Sequence, residues 1–264
     1  MTSVINNNQI IISNPSTGNK IKEINVTSPS QIESIIESAN SYKDWSSLSI
    51  NKRCQFIDIF RKELLKNKDE IQNIIVEETG KKDFDAFIEV FTTLEHLKEI
   101  TKIAKIALKN SKRSPGILKN KKAYVKYEPL GVAGIISPWN FPLVTPTTTC
   151  IDGLLAGNNV ILKPSEHTPL TAIFIKNLWD KKIGYNEAWS IINGDGDVGQ
   201  LLIESSKVDI ISFTGSTVVG KKIARQCSET LKPLILELGG KDPMIILEDA
   251  DIDRAINSAI FGGL

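Results

Sequence analysis

From about residue 122 onward, short apolar runs alternate with stretches of helical spacing, and this alternation restricts the fold more than any other feature of the chain. "AYVKYEP" alternates like a half-buried strand and "GVAGIISP" reads as a fully buried one. A helix is predicted over 143–155, followed by the strand "NNVILKP", a helix near 168–180 and the strand "WSIIN". A helix near 197–205 then leads into "VDIISF", a helix near 216–230, the strands "LILEL" and "MIIL", and a last helix from about 249. Strands this apolar must be covered on both faces, which is the condition of a parallel sheet with helices above and below. The fold class is therefore α/β, a Rossmann-like sheet.

The first half follows a different pattern. In "SPSQIESIIESANSYKDW", Ser28 reads as N-cap, Pro29 as the first helical residue and Gln31 as the partner in a capping box. Ile32, Ile35, Ile36 and Ala39 share one face of that helix. A second helix carries Phe56, Ile57, Phe60, Leu64 and Leu65, and a third carries Ile71, Ile74 and Ile75 and stops at Gly80. Helical spacing continues over 84–109 through Phe87, Phe91, Leu94 and Leu97. The expected organisation is a helical N-terminal arm over 1–122, a hairpin or bridging region over 123–137 and the Rossmann-like core over 138–264. There is no internal repeat, and "NNN" at 6–8 is the only low-complexity hint.

Charge excludes some partners. Thirty-two basic against 31 acidic residues leave a net charge of +1, which gives no basis for nucleic-acid binding. The most basic stretch, "KNSKRSPGILKNKK", is broken by Ser, Pro and Gly and reads as a solvated linker. Cys54, Cys150 and Cys227 are far apart, and only His96 and His167 are available beside them, so neither a disulfide framework nor a zinc site is expected. The start lacks the layout of a signal peptide, the first arginine is Arg53, and no apolar run has membrane-spanning length. The expectation is a cytoplasmic protein that does not enter the membrane.

In open parallel sheets ligands bind beyond the carboxyl ends of the strands. Five stretches occupy such places: "SPWNFP" at 137–142, "KPSE" at 163–166, "GDGDVG" at 194–199, "FTGSTVVG" at 213–220 and "ELGGKDP" at 237–243. Gly194, Gly196 and Gly199 form a GxGxxG after a strand, but those glycines could equally serve a turn, and no acidic residue follows at the proper later strand end. Gly215, Ser216 and Thr217 could form an anion site at a helix start, or Ser216 could be an N-cap and nothing more. Lys163 admits the bland reading of a solvated strand end, Glu166 that of an N-cap neighbour, Trp139 that of packing on Pro138 and Pro142, and Asn140 that of a turn residue. Glu237, between "LIL" and "LGG", is expected to be poorly solvated, with a raised pKa suited to proton transfer.

Taken together and in this order, these stretches resemble the aldehyde dehydrogenase superfamily. The resemblance also takes in "ETGKK" at 78–82, Trp45 with Arg53, "PLGVAGIISPWNFPL", "LAGNNVILKPSEHTP", "VDIISFTGSTVVG" and "LELGGKDP", and spans nearly the whole chain. It implies NAD(P)-dependent oxidation of an aldehyde through a thiohemiacetal on a cysteine. By this resemblance Asn140 donates to the oxyanion and Glu237 is the general base. Lys163, Ser165 and Glu166 face the adenosine ribose, and the Glu166 carboxylate favours NAD over NADP. Ser216, after Gly215, meets the pyrophosphate. Ile136, Ser137, Pro138 and Trp139 line the groove, with Phe213, Val219 and Leu238 also at the cofactor and Gly196 and Gly199 near the adenine.

Two departures are small: Asp152 and Gly153 stand where Pro-Ala is usual, and Asp242 where Asn or Ser is frequent. A larger one concerns the nucleophile. The resemblance places it beyond the helix begun by "DADIDRAI", so the chain is expected to be truncated before the catalytic cysteine, to lack the catalytic domain and to be inactive alone. Cys54, Cys150 and Cys227 are expected to be core residues. The family's homo-oligomeric assembly is left open for this chain. The alternatives are a non-catalytic relic or NAD-binding module, and an unrelated dinucleotide-binding regulator.

Overall fold

The computed structural model describes residues 3–6 and 8–263. It begins with a three-stranded antiparallel sheet of β1 (Ser3–Asn6), β2 (Gln9–Ser13) and β3 (Lys20–Asn25). The helical arm expected over 1–122 therefore opens with a sheet that its sequence did not announce. Ile10 and Ile12 alternate into the interior from β2, while Asn8 takes φ 62° between β1 and β2, a conformation its short polar side chain tolerates.

Four helices follow: α1 (Pro29–Ser41), α2 (Ile50–Lys66), α3 (Lys68–Thr79) and α4 (Asp83–Ala107). The capping box of α1 is formed as expected, with Ser28 and Gln31 each satisfying the other's backbone N–H. A short antiparallel hairpin, β4 (Ser111–Arg113) with β5 (Ala123–Val125), precedes the main sheet.

That sheet is built from β6 (Val132–Ile136), α5 (Val144–Ala156), β7 (Asn159–Lys163), α6 (Leu170–Lys182), β8 (Trp189–Ile191), α7 (Gly196–Glu204), β9 (Ile210–Gly215), α8 (Thr217–Glu229) and β10 (Leu234–Leu238). All five strands are parallel, in the order β10-β9-β6-β7-β8. β6 lies at the centre, so the parallel core starts before residue 138. The stretch "MIIL" at 244–247 is not a strand: its side chains are exposed and the segment pairs with no strand among the described residues. A final helix, α9 (Ile252–Gly263), ends the described chain.

Strand periodicity sorts the core into two layers. Ala133 and Ile135 of β6, with Val160 and Leu162 of β7, face a cluster made with α2, α3, α4, α5 and α6. Val132 and Ile136, with Ile161, Ile211 and Phe213, face a second cluster made with α1, α7 and α8. Trp45, Phe60, Trp179 and Trp189 meet edge to face in the first layer, with ring centroids 5.3–5.6 Å apart.

Side chains from the N-terminal helices and the turn after α1 close the ends of the sheet's helices. Glu89 of α4 accepts from the backbone N–H of Leu143 at 2.8 Å and Val144 at 3.2 Å, at the start of α5. At its other end, Trp45 Nε1 donates to Leu154 O at 2.8 Å and Arg53 Nε to Leu155 O at 3.1 Å. An acid thus meets the positive end of the helix dipole and a cation the negative end. Gly157 ends α5 with φ 96°, and a Cβ there would lie 3.1 Å from Arg53 Nη1. Glu78 of α3 does for α6 what Glu89 does for α5, accepting from Leu170 N at 2.8 Å and Thr171 N at 3.1 Å.

Candidate functional site

At the carboxyl ends of β6, β7 and β9 the sheet opens into a cavity of about 520 Å³. Its wall contains Ile136, Ser137, Pro138 and Trp139 after β6, and Lys163, Ser165 and Glu166 after β7. Gly196 and Gly199 of α7 join them, as do Phe213, Gly215, Ser216 and Val219 from β9 and α8. The structure brings together every residue expected at the cofactor except Leu238. Leu238 is 37% exposed on β10 and packs toward α8, where a Cβ at Gly220 would meet its Cδ2 at 2.5 Å.

Lys163 is buried, which excludes the reading of a solvated strand end. Its Nζ donates to Gly194 O at 2.6 Å and Pro164 O at 2.9 Å and lies 3.7 Å from a Glu166 oxygen. Burial lowers its pKa from the ordinary lysine value, while Glu166 and Asp195 work in the other direction. Thr168 Oγ1 donates to Trp139 O at 3.2 Å and so ties the loop after β7 to the loop after β6.

The two glycine motifs separate clearly. The start of α7 is capped by a carboxylate, Asp195 Oδ1 accepting from Asp197 N at 3.1 Å, with Asp197 itself in the first turn. Two acids at that helix end oppose an anion there. At α8, Ser216 is an N-cap, its Oγ accepting from Val219 N at 3.3 Å, and no acidic residue occupies the first turn. The same Ser216 lines the cavity, so capping and cavity-lining coexist. Gly215 is required by packing, since a Cβ would lie 2.5 Å from Phe213 Cζ.

Asn140 and Glu237 are both exposed and lie outside the cavity wall. For Glu237 this corrects the expectation of a poorly solvated carboxylate. β10 is an edge strand whose alternation turns Leu234 and Leu236 inward, leaving Ile235 and Glu237 on the open face. Asn140 lies between β6 and α5 in a loop held by its neighbours: Lys81 Nζ reaches Glu89 Oε2 at 2.7 Å and sits 3.8 Å from the Phe141 ring centroid.

Sequence reasoning missed His167, Gln200, Ile203, Thr214, Lys222, Ile223 and Gln226 in the wall. Helical spacing was the available signal: Val219, Lys222, Ile223 and Gln226 lie on one face of α8, and Gly199, Gln200 and Ile203 on one face of α7. All three cysteines are buried, and burial raises each thiol pKa, that of Cys150 most strongly. Among the described residues there is no metal-ligand cluster, and no helix is long and apolar enough to cross a membrane.

Comparison with known proteins decides the family. The sequence pattern of the aldehyde dehydrogenase family matches residues 4–264. The chain belongs to the aldehyde dehydrogenase family. It is 33% identical over 248 residues to a betaine aldehyde dehydrogenase of Vibrio vulnificus, covering 94% of this chain and 51% of that protein. It is 32% identical over 255 residues to a D-glyceraldehyde dehydrogenase (NADP(+)) of Picrophilus torridus, covering 94% and 50%. The solved NAD+ complex of an aldehyde dehydrogenase from Bacillus cereus superposes with a TM-score of 0.90 at 30% identity, covering 96% of this chain and 52% of that one. The chain spans about half the length of the aldehyde dehydrogenases it matches.

Proposed function

We propose that these residues form the nucleotide-binding part of an NAD-dependent aldehyde dehydrogenase, with the cofactor seated in the cavity at the ends of β6, β7 and β9. The observation that carries this reading is the convergence of Lys163, Glu166 and the capped start of α8 on one cavity at the carboxyl edge of a parallel sheet. The residues present suit a dinucleotide. The Glu166 carboxylate accepts ribose hydroxyls and repels a 2′-phosphate, which favours NAD over NADP. The backbone N–H groups of the α8 start, with no acidic residue in that first turn, face the diphosphate. Bound NAD supplies the hydride acceptor.

In the same reading Asn140 donates to the developing aldehyde oxyanion and Glu237 takes a proton. Both are exposed and so open to a substrate. A nucleophile is missing from these residues, because a buried thiol with a raised pKa does not attack an aldehyde. The reaction therefore draws its thiol from polypeptide outside residues 1–264, and the chain alone turns over no aldehyde. Three unpaired cysteines suit a reducing, cytoplasmic compartment, and the β4–β5 hairpin offers a strand edge to a second copy.

Calorimetric titration with NAD and NADP tests the reading. We expect saturable NAD binding, NADP weaker by about tenfold or more, and no binding to Ser216→Glu, which sets a carboxylate where the diphosphate would lie. A folded chain that binds neither nucleotide would refute the assignment. Aldehyde-dependent NADH formation by the chain alone would refute the claim about its thiols.

A further inference from the structure

We propose that Glu78 and Glu89 are positioning residues for the nucleotide: from either side of the α3–α4 turn they fix the far ends of the two loops whose residues Trp139 and Glu166 line the cavity. The inference rests on the cofactor reading above and concerns residues outside the cavity wall.

The helices that follow those two loops have no cap of their own. α1, α2, α7 and α8 are each capped by the residue before them, Ser28, Ser49, Asp195 and Ser216. The corresponding residues of α5 and α6 are Leu143 and Pro169, and neither makes a side-chain cap. Glu89, 2% exposed, supplies the acceptor for the N–H groups of Leu143 and Val144. Glu78, completely buried, supplies it for the N–H groups of Leu170 and Thr171 and for the Thr171 hydroxyl. The turn between the two glutamates is itself seated closely, since a Cβ on Gly80 would meet Pro15 Cγ and Ser16 Oγ at 2.8 Å.

The loops are thus held on both sides. Where they leave the strands, Ser137 N donates to Lys163 O at 3.2 Å, and farther on Thr168 Oγ1 donates to Trp139 O at 3.2 Å. Where they enter the helices, the two glutamates hold them. A loop fixed in this way has little conformational freedom left to lose when a ligand arrives. Without the remote acceptor, the first turn of α5 or α6 has buried N–H groups lacking a partner, and the nucleotide must order the loop that it meets.

The two carboxylates differ in charge compensation. Glu89 is paired with Lys81 at 2.7 Å. Glu78 faces no cation among the described residues: the charged group near it is Glu89 of α4, and α6 offers it the Thr171 hydroxyl and two backbone N–H groups. Burial raises its pKa to about 7. Its protonation near neutral pH therefore takes an acceptor from the start of α6, and NAD affinity should weaken as pH falls.

The test uses the full chain as wild type, Glu78→Gln, Glu89→Gln and Ala104→Gly, the last a destabilising change at the far end of α4. Each is titrated calorimetrically with NAD at pH 8 and pH 6 and melted without nucleotide. A glutamine keeps one acceptor but turns N–H donors toward N–H groups. At pH 8 we expect both glutamine variants to fold and to bind NAD about three- to tenfold more weakly than wild type. Ala104→Gly should melt lower yet bind NAD as wild type does. At pH 6 wild-type affinity should fall toward that of Glu78→Gln, so that their ratio closes; this comparison decides if Glu89→Gln does not fold. Wild-type NAD affinity in the glutamine variants overturns this inference alone. So does an equal loss in Ala104→Gly, because affinity would then follow stability. A ratio of wild type to Glu78→Gln that is the same at both pH values also overturns it, because the charge of Glu78 would then not set the loop. A wild-type chain that binds no NAD at either pH overturns the cofactor reading as well.

Discussion

The Glu89 carboxylate accepts a hydrogen bond from the Leu143 backbone N–H at 2.8 Å, joining the longest helix of the arm to the first turn of α5. Lys81 holds the other carboxylate oxygen and reaches over Phe141, so one ion pair brackets the loop that carries Asn140. Breaking a buried pair by removing one partner leaves an uncompensated charge. Glu89→Ala should therefore cost about 3 kcal/mol in urea denaturation. Lys81→Ala should cost less, because the backbone N–H groups still serve Glu89. If Glu89→Ala unfolds at the wild-type urea concentration, the brace contributes nothing.

Stability should also depend on pH through Glu78. Burial raises its pKa to about 7, against hydrogen bonds from Thr171 and Leu170 that pull it down. The folded chain then holds a proton between pH ~4.5 and ~7 that the unfolded chain has lost, so ΔG of unfolding falls as pH rises through that window and levels above it. The expected fall is about 3 kcal/mol at most. Wild type minus Glu78→Gln, measured by urea denaturation from pH 5 to 8, isolates the slope. A difference independent of pH would show that the donors at the start of α6 keep Glu78 ionised throughout.

A thiol reagent should find no target in the native state. Cys54, Cys150 and Cys227 are each 3% exposed or less, and burial raises each pKa. Ellman's reagent should label none of them rapidly in buffer and all three in denaturant. Rapid native labelling of Cys227, on the outer helix α8, would reopen the question of a nucleophile.

Nucleotide choice should follow one carboxylate. Glu166→Ser removes the repulsion of a 2′-phosphate and one acceptor for the ribose, so the ratio of NAD to NADP affinity should fall by about tenfold or more. Parallel titrations measure it, and an unchanged ratio would remove Glu166 as the determinant.

The parallel core was legible because its strands are buried on both faces: the runs around Ile135 and Ile161 have no other stable fate. The cavity at the ends of β6, β7 and β9 was legible through the loops that follow those strands. The antiparallel sheet at the start was not. β3 is mostly exposed and rich in Lys and Glu, and only Ile10 and Ile12 of β2 carry a core signal. Nor could the roles of Glu78 and Glu89 be read, because the backbone groups they cap are 92 and 54 positions away in the chain. "MIIL" was misread because apolar content alone marked it, and Glu237 because alternation on an edge strand leaves one face open. Local pattern reports what a segment needs, whereas a long-range cap reports which partner supplies it.

Hydrogen exchange of the full chain with and without saturating NAD tests the central claim most directly. The account predicts new protection at 136–139, 163–167, 196–203 and 213–226, with little change in β1–β3 or α2. A cavity of about 560 Å³ between α1 and α7, lined by Ile32, Glu33, Glu204 and Lys207, is the competing location. Protection confined to that crevice, with the ends of β6, β7 and β9 unchanged, would contradict the account.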